Sequence, residues 1–308
     1  MVGVTGFEPA ASWSRTKRTT KLCHTPFSHL CIIPSLSPFV KHFHKNIFNS
    51  FFPSCISLSV MIKCSHVKEL ISMEHGTTSK WQFLSGNMLK ILALITMTCD
   101  HIGLYLMDNN PIMRMIGRIS LPIFAYMIAE GCKYTKNKLK YLSLTAGVGL
   151  ICQIAYWVTM QSLYMCIMVT FSLSIIMIYA LDYAMKKRTF IPIALACLTF
   201  GAILFLSYIL PHYVPVQYGY RISYGIVGIM LPVLIYVGQT KAQKLLGAAI
   251  GLTVMAIKNG WLIQWFALFA LIPLAFYSGK RGKTKMKYLF YIYYPLHLVI
   301  IYAISWFL

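Results

Sequence analysis

Acidic side chains are scarce: seven Asp and Glu stand against 28 Lys and Arg in 308 residues, and charged residues of both signs make up only 11% of the chain. A soluble domain is about one-quarter charged, so with 58% of the residues apolar a water-soluble globular protein is excluded. The leading basic and apolar regions of a signal peptide are absent, and no internal repeat of the inverted-repeat transporter kind is visible. Metal-ligand spacing is absent too. Cys23, Cys31, Cys55 and Cys64 share the first seventy residues with five of the nine histidines, but their spacing fits no zinc pattern. Cys99, Cys132, Cys152, Cys166 and Cys197 lie within or at the ends of apolar segments, where unpaired spacing reads as free thiols packed as small hydrophobes.

What is present is a series of apolar runs of about twenty residues, the length of helix that crosses a hydrocarbon layer of about 30 Å. The fold class expected is all-α, a polytopic transmembrane helix bundle. Spans are expected near 88–107, 113–132, 139–158, 163–184, 190–209, 222–238, 244–257, 261–277 and 288–307, nine in all, the seventh being short. Cations concentrate in four of the breaks: Lys133 to Lys140, Lys186 to Arg188, Lys241 with Lys244, and Lys280 to Lys287. The other breaks hold isolated cations, Arg114, Arg221 and Lys258. This alternation is the positive-inside pattern. It makes the basic charge topogenic rather than a nucleic-acid surface, and it sets the N-terminus inside and the C-terminus outside; a bacterial cytoplasmic membrane is the expected host. The lipid bilayer is its first partner.

Residues 1–72 have a different character, mixing Ser, Pro, Phe, Lys and His without periodicity. Gly6-Phe7-Glu8-Pro9 is encodable as GGG TTC GAA CCC, which reads as the T-arm of a transfer RNA gene and is its own reverse complement. One reading is therefore a spurious extension ahead of a start at Met73, with Met61 and Met88 as rivals; the other is a disordered basic tail. A short cytoplasmic lead-in, 73–87, would precede the transmembrane domain, 88–308.

Within that domain the acids are Asp100, Asp108, Glu130 and Asp182. An ionisable group in hydrocarbon costs about 2.5–3.5 kcal/mol on insertion scales, so each calls for a partner or a function. Asp108 and Asp182 sit near helix ends and can reach water. Asp100 and His101 lie about 15 Å along the first helix from its start, too deep to snorkel. Arg118 descends to the same level on the second span, so an Asp100–Arg118 pair across this hairpin is expected. His297 reaches a similar depth on the last span. Adjacent helix positions point about 100° apart, so Asp100 does not orient His101. His101 is thus a candidate general base, with Asp100 fixing Arg118. A structural ion pair beside a hydrogen-bonded core histidine is the alternative. Glu130 either pairs with Lys133 or faces an active cavity, and Gln153 and Thr170 are expected as interhelical hydrogen-bond partners.

The stretch Leu89-Lys90 through Cys99-Asp100-His101-Ile102-Gly103 resembles the opening helix of the TraX family, named for a pilin-acetylating protein of conjugative plasmids. Gly117-Arg118, Pro122, Ala129-Glu130-Gly131, Lys133 to Asn137, Gly279-Lys280-Arg281-Gly282 and Tyr294-Pro295-Leu296-His297 continue the likeness. The family is in turn similar to a larger class of membrane acyltransferases. There a cation opens the first helix eleven positions before a histidine, as Lys90 and His101 do here. This chain has lysine for the usual arginine, and Glu130 for the serine of that class's second motif. The resemblance implies transfer of acetyl from acetyl-CoA to an amine or hydroxyl of a pilin-like or surface-polymer acceptor. His101 would be the base, Asp100 or His297 would assist, Arg118 would steady charge, and Lys280, Arg281 or the Lys133–Lys140 loop would meet the donor's phosphates. A proton-coupled transporter or flippase and a non-enzymatic pilus assembly factor are the rival readings.

Overall fold

A computed structural model describes residues 82–260, 262–282 and 287–307. The expectations for residues 1–72, and for Lys283 and Lys285 of the last basic loop, lie outside the described residues. The chain runs α1 (Gly86–Tyr105), α2 (Pro111–Gly117), α3 (Ser120–Tyr134), α4 (Lys138–Met160), β1 (Tyr164–Met165) and α5 (Ile167–Lys187). It continues through α6 (Phe190–Leu204), a π-helical turn (Phe205–Ile209), α7 (Leu210–Tyr213), a 3₁₀ turn (Val216–Tyr218), β2 (Arg221–Ile222), α8 (Gly225–Val237) and α9 (Lys241–Asn259). A 3₁₀ helix (Leu262–Ala270), α10 (Leu271–Ala275) and α11 (Lys287–Phe307) complete it. β1 and β2 form a two-residue parallel pair, Tyr164 opposite Arg221.

Local chemistry sets these boundaries. Ser85 Oγ caps α1 at the Met88 amide, Asn137 Oδ1 caps α4 at the Lys140 amide, and Thr240 with Gln243 forms a reciprocal capping box on α9. Each cap satisfies amide donors that a helix start leaves without partners. Gln161, Arg188 and Gly260 adopt left-handed conformations that end α4, α5 and α9.

Six helical stretches among the described residues are long and apolar enough to cross a membrane: Gly86–Tyr105, Pro111–Tyr134, Lys138–Thr159, Ile167–Lys187, Phe190–Tyr213 and Tyr288–Phe307. The expected count of nine is therefore not what length and composition give. The seventh expected span, thought short, is the 19-residue α9, whose Lys241, Lys244 and Lys258 reduce its apolarity. Two elements are short, Leu262–Ala275, where a span over 261–277 is expected, and α8; α8 has 13 residues, or about 20 Å of rise. It lies where α3, α5 and α9 pack together, with Ile229, Leu231 and Ile235 fully buried. A helix surrounded by protein has no need to match the hydrocarbon thickness.

Contacts among the basic loops place them at one end of the bundle. Asp182 accepts from Lys138 at 2.8 Å and from Lys186 at 3.0 Å, so it is buried and paired rather than open to water. Lys241 Nζ donates to the carbonyls of Ala275 and Tyr277 at 2.6 and 2.8 Å. Lys244 pairs with Glu130, and the Gly86 amide donates to the Lys280 carbonyl at 2.8 Å. The β1–β2 pair and the bond from the Leu163 amide to the Tyr218 carbonyl tie loops at the other end.

Polar bonds between helices secure the interior. Thr170 Oγ1 ties α5 to the turn before α8 by donating to the Ser223 carbonyl at 2.9 Å, whereas Gln153 Nε2 reaches Ser162, in the loop after its own helix. Ser174, not singled out from sequence, donates to the Ile229 carbonyl at 2.8 Å, one turn before Pro232, whose missing amide weakens the local ladder. On α9, Gly247 and Gly251 face α8 so closely that a Cβ would lie 2.8 Å from the Leu234 carbonyl oxygen and 2.7 Å from Leu231 Cδ1, a small-xxx-small contact.

Candidate functional site

The site begins with the α1–α2 hairpin. Asn110 Oδ1 accepts from the Ile112 and Met113 amides, and Pro111 fills the first helical position, where no amide is needed. Two glycines then let the helices close together. A Cβ on Gly103 would sit 2.5 Å from Met113 Cβ, and one on Gly117 would sit 2.2 Å from Asp100 Cβ. Gly117→Ala is accordingly expected to push Asp100 aside and cost about 1–3 kcal/mol, read as a lowered unfolding temperature in detergent.

This approach brings two arginines onto one carboxylate. Arg118 Nη2 lies 3.6 Å from Asp100 Oδ1, the expected pair, and Arg118 Nη1 donates to the Tyr224 hydroxyl at 3.0 Å. Arg114 joins it, with Nη1 3.4 Å from Asp100 Oδ2. From sequence Arg114 read as an isolated loop cation; it is in fact 6% exposed. The Asn110 cap starts the helix early enough to place Arg114 one turn before Arg118, on the same face. The i, i+4 spacing opposite Asp100 was the available signal.

His101 turns the other way, as the angle between adjacent helix positions requires. Its Nδ1 lies 3.0 Å from His297 Nε2, because α11 packs against α1. His297 Nδ1 lies 2.9 Å from the Tyr293 carbonyl oxygen. A carbonyl only accepts, so in the neutral pair His297 carries its proton on Nδ1 and receives through Nε2. His101 must then donate from Nδ1, which leaves the lone pair on its Nε2; this tautomer is assigned from the hydrogen-bond network. Tyr293 stacks on His297 at 5.3 Å between centroids, and its hydroxyl shares a 2.7 Å hydrogen bond with Thr98. Both arginines act electrostatically on His101, so the four residues that sequence depth placed at one level do lie together.

A cavity of about 440 Å³ opens near the end of the bundle that carries the basic loops, lined among others by Lys90, Glu130, Arg281, Phe290 and Tyr294. Lys90 Nζ sits 5.2 Å from the Phe290 ring centre. Tyr294 forms part of the wall and contacts the His297 ring edge-on at 5.8 Å, so one side chain separates the cavity from the histidine pair. Glu130 lines this space but pairs with Lys244 rather than Lys133; Lys244, buried on α9, also lies over the Tyr126 ring. Arg281 lines the cavity whereas Lys280 does not; the latter's contribution is its backbone carbonyl, bonded to Gly86. In the Lys133–Lys140 loop, Lys138 is engaged by Asp182. Cys99, Cys132, Cys152, Cys166 and Cys197 are free thiols.

A family model described as TraX protein matches residues 85–305, a stretch that includes Asp100, His101, Arg118, Glu130, Lys280, Arg281 and His297. The chain belongs to the TraX family. With six helices of spanning length, this TraX-family chain is a multi-pass membrane protein. It is 25% identical over 257 residues, covering 73% of the chain and 97% of the relative, to the probable fimbrial assembly protein FimC, serogroup H1, of Dichelobacter nodosus. A shorter similarity, 46% identity over 56 residues, covers 18% of the chain and 22% of the uncharacterized protein RP591 of Rickettsia prowazekii (strain Madrid E). No solved structure matches the chain.

Proposed function

We propose that this protein is a membrane acyltransferase that moves acetyl from acetyl-CoA to an amine or hydroxyl of a pilin-like or surface-polymer acceptor. The observation that carries the reading is the His101–His297 contact beside the wall of a cavity entered from the basic end. The lone pair left on His101 Nε2 takes the proton of the acceptor hydroxyl or amine as its oxygen or nitrogen attacks the thioester carbonyl. The carbon–sulfur bond then breaks, and the proton passes from His101 to the departing CoA thiolate. Arg118 stabilises the charge that develops on the carbonyl oxygen.

Lys90 and Arg281 supply the donor-phosphate contacts at the cavity mouth. Along α1, Lys90 and His101 are separated by about 16 Å of helix, the distance an extended thioester arm spans past Tyr294 to reach the base. The four basic loops face the cytoplasm, where acetyl-CoA is made, and the cytoplasmic membrane is the host bilayer. The fimbrial-assembly name of the Dichelobacter relative supports a pilus-associated acceptor.

Mass spectrometry of pilin and surface polymers from cells with and without the protein tests this reading. An acetyl group present only with the protein is the expected result. Identical acetylation in both would contradict it and favour the assembly-factor alternative.

A further inference from the structure

The charges at the centre of the bundle do not cancel. Arg114 and Arg118 are 6% and 9% exposed and share the single carboxylate of Asp100. The other acids of the described residues are engaged or remote: Glu130 pairs with Lys244, Asp182 with Lys138 and Lys186, and Asp108 is exposed at the hairpin turn. Tyr105, Tyr164 and Tyr224 are close enough to act on the pair, but neutral hydroxyls do not cancel a cation. Nε of each arginine is buried without a hydrogen-bond acceptor, and Asp100 Oδ1 has no donor in bonding geometry. An uncompensated buried charge is costly, and more so at membrane depth. Two guanidinium forks one helical turn apart are suited to the oxygens of a carboxylate or phosphate.

Position decides which substrate would bring that anion. Lys90 and Arg281 line the cavity near the basic loops, so on the acyl-transfer reading the phosphates of CoA are held there and not at the arginine pair. Arg114 lies in the first turn of α2, and Tyr224 immediately precedes α8. Both are on the side away from the four basic loops. The side chain of Asp100 keeps 17% exposure, which leaves the cluster an open edge.

We propose that Arg114 and Arg118 form a subsite for one anionic group, a carboxylate or a phosphate monoester, carried by the acceptor and entering from the end opposite the basic loops. The assignment of this anion to an acceptor rests on the acyl-transfer reading; the anion site itself does not. An acceptor whose nearest group is a protonated amine is disfavoured by the same charge. Asp100 acts as the counter-ion that keeps the arginines apart and limits how tightly the anion is held.

Thermal unfolding of the purified full-length chain in detergent tests the site, with inorganic phosphate and acetate as probes against chloride at equal ionic strength. For the wild type, one of the two oxyanions is expected to raise the unfolding temperature above chloride, with a midpoint concentration that defines its affinity. Asp100→Asn removes the competing carboxylate and is expected to tighten that midpoint about tenfold, while Arg114→Gln abolishes the shift. No oxyanion effect in the wild type, or a weaker midpoint in Asp100→Asn, overturns the site. Displacement of the bound oxyanion by CoA overturns its assignment to the acceptor. Wild-type protein that shows the shift but releases no CoA from acetyl-CoA upholds the site and overturns only the reaction assigned to it.

Discussion

Replacing His101 by alanine is expected to lower the rate of CoA release from acetyl-CoA by about 10²–10⁴-fold, the usual contribution of a positioned general base. KM for acetyl-CoA should stay near the wild-type value, because the donor's phosphates are assigned to Lys90 and Arg281, which line the cavity near the basic loops. His297→Gln should give a smaller loss, on the order of 10–100-fold, as for residues that orient an imidazole rather than react. The ordering of the two losses is the informative part. His297 acts through His101 by holding its Nδ1 proton, so the double variant should be no slower than His101→Ala alone. Equal rates for wild type and His101→Ala, measured as free CoA thiol, would remove His101 from the mechanism.

The second large effect concerns Lys244 and Glu130, buried together between α9 and α3. Lys244→Met leaves a carboxylate without its counter-ion and should destabilise the protein by about 3–5 kcal/mol. Glu130→Leu combined with Lys244→Met removes both charges and should restore stability to near the wild-type value, since well-packed apolar replacements of buried ion pairs are often neutral or stabilising. Thermal unfolding in detergent checks the stability, and CoA release measured on the double variant adds a functional reading. If Glu130 serves only to hold α3 to α9, activity returns with stability. Restored stability without activity would instead assign Glu130 a role in the cavity it lines.

Much of the central geometry was legible because membrane depth can be counted in residues. Equal distances from the connecting turn pair Asp100 with Arg118, and equal distances from the basic end set His297 at the level of His101; the first pair is present and the two histidines are in contact. The 100° step between neighbouring helix positions separates the contacts of the two residues, Asp100 meeting the arginines and His101 meeting His297. Other parts were hidden by the same reasoning. Arg114 follows a short polar turn and reads as a loop cation until Asn110 and Pro111 are recognised as a helix start. Lys244 reads from sequence as one of a break's topogenic cations, whereas it is buried in the first turn of α9, so its pairing with Glu130 gives way in the sequence to the nearby Lys133. Hydropathy does not distinguish a helix facing lipid from one enclosed by other helices, and this is why the 13-residue α8 counted as a full span. The cavity was legible only as one of two readings of Glu130, since Lys90, Glu130, Arg281 and Tyr294 come from four separated segments.

Inverted membrane vesicles, with the face bearing the basic loops outward, allow the central claim to be tested directly. Acetyl-labelled acetyl-CoA added outside such vesicles should lose its label only when the protein is present. CoA should appear in step with labelled peptide or polymer inside, and His101→Ala should abolish both. Proton-dependent movement of solute with acetyl-CoA left intact would contradict acyl transfer and establish Asp100, His101, Arg118 and His297 as parts of a transport pathway.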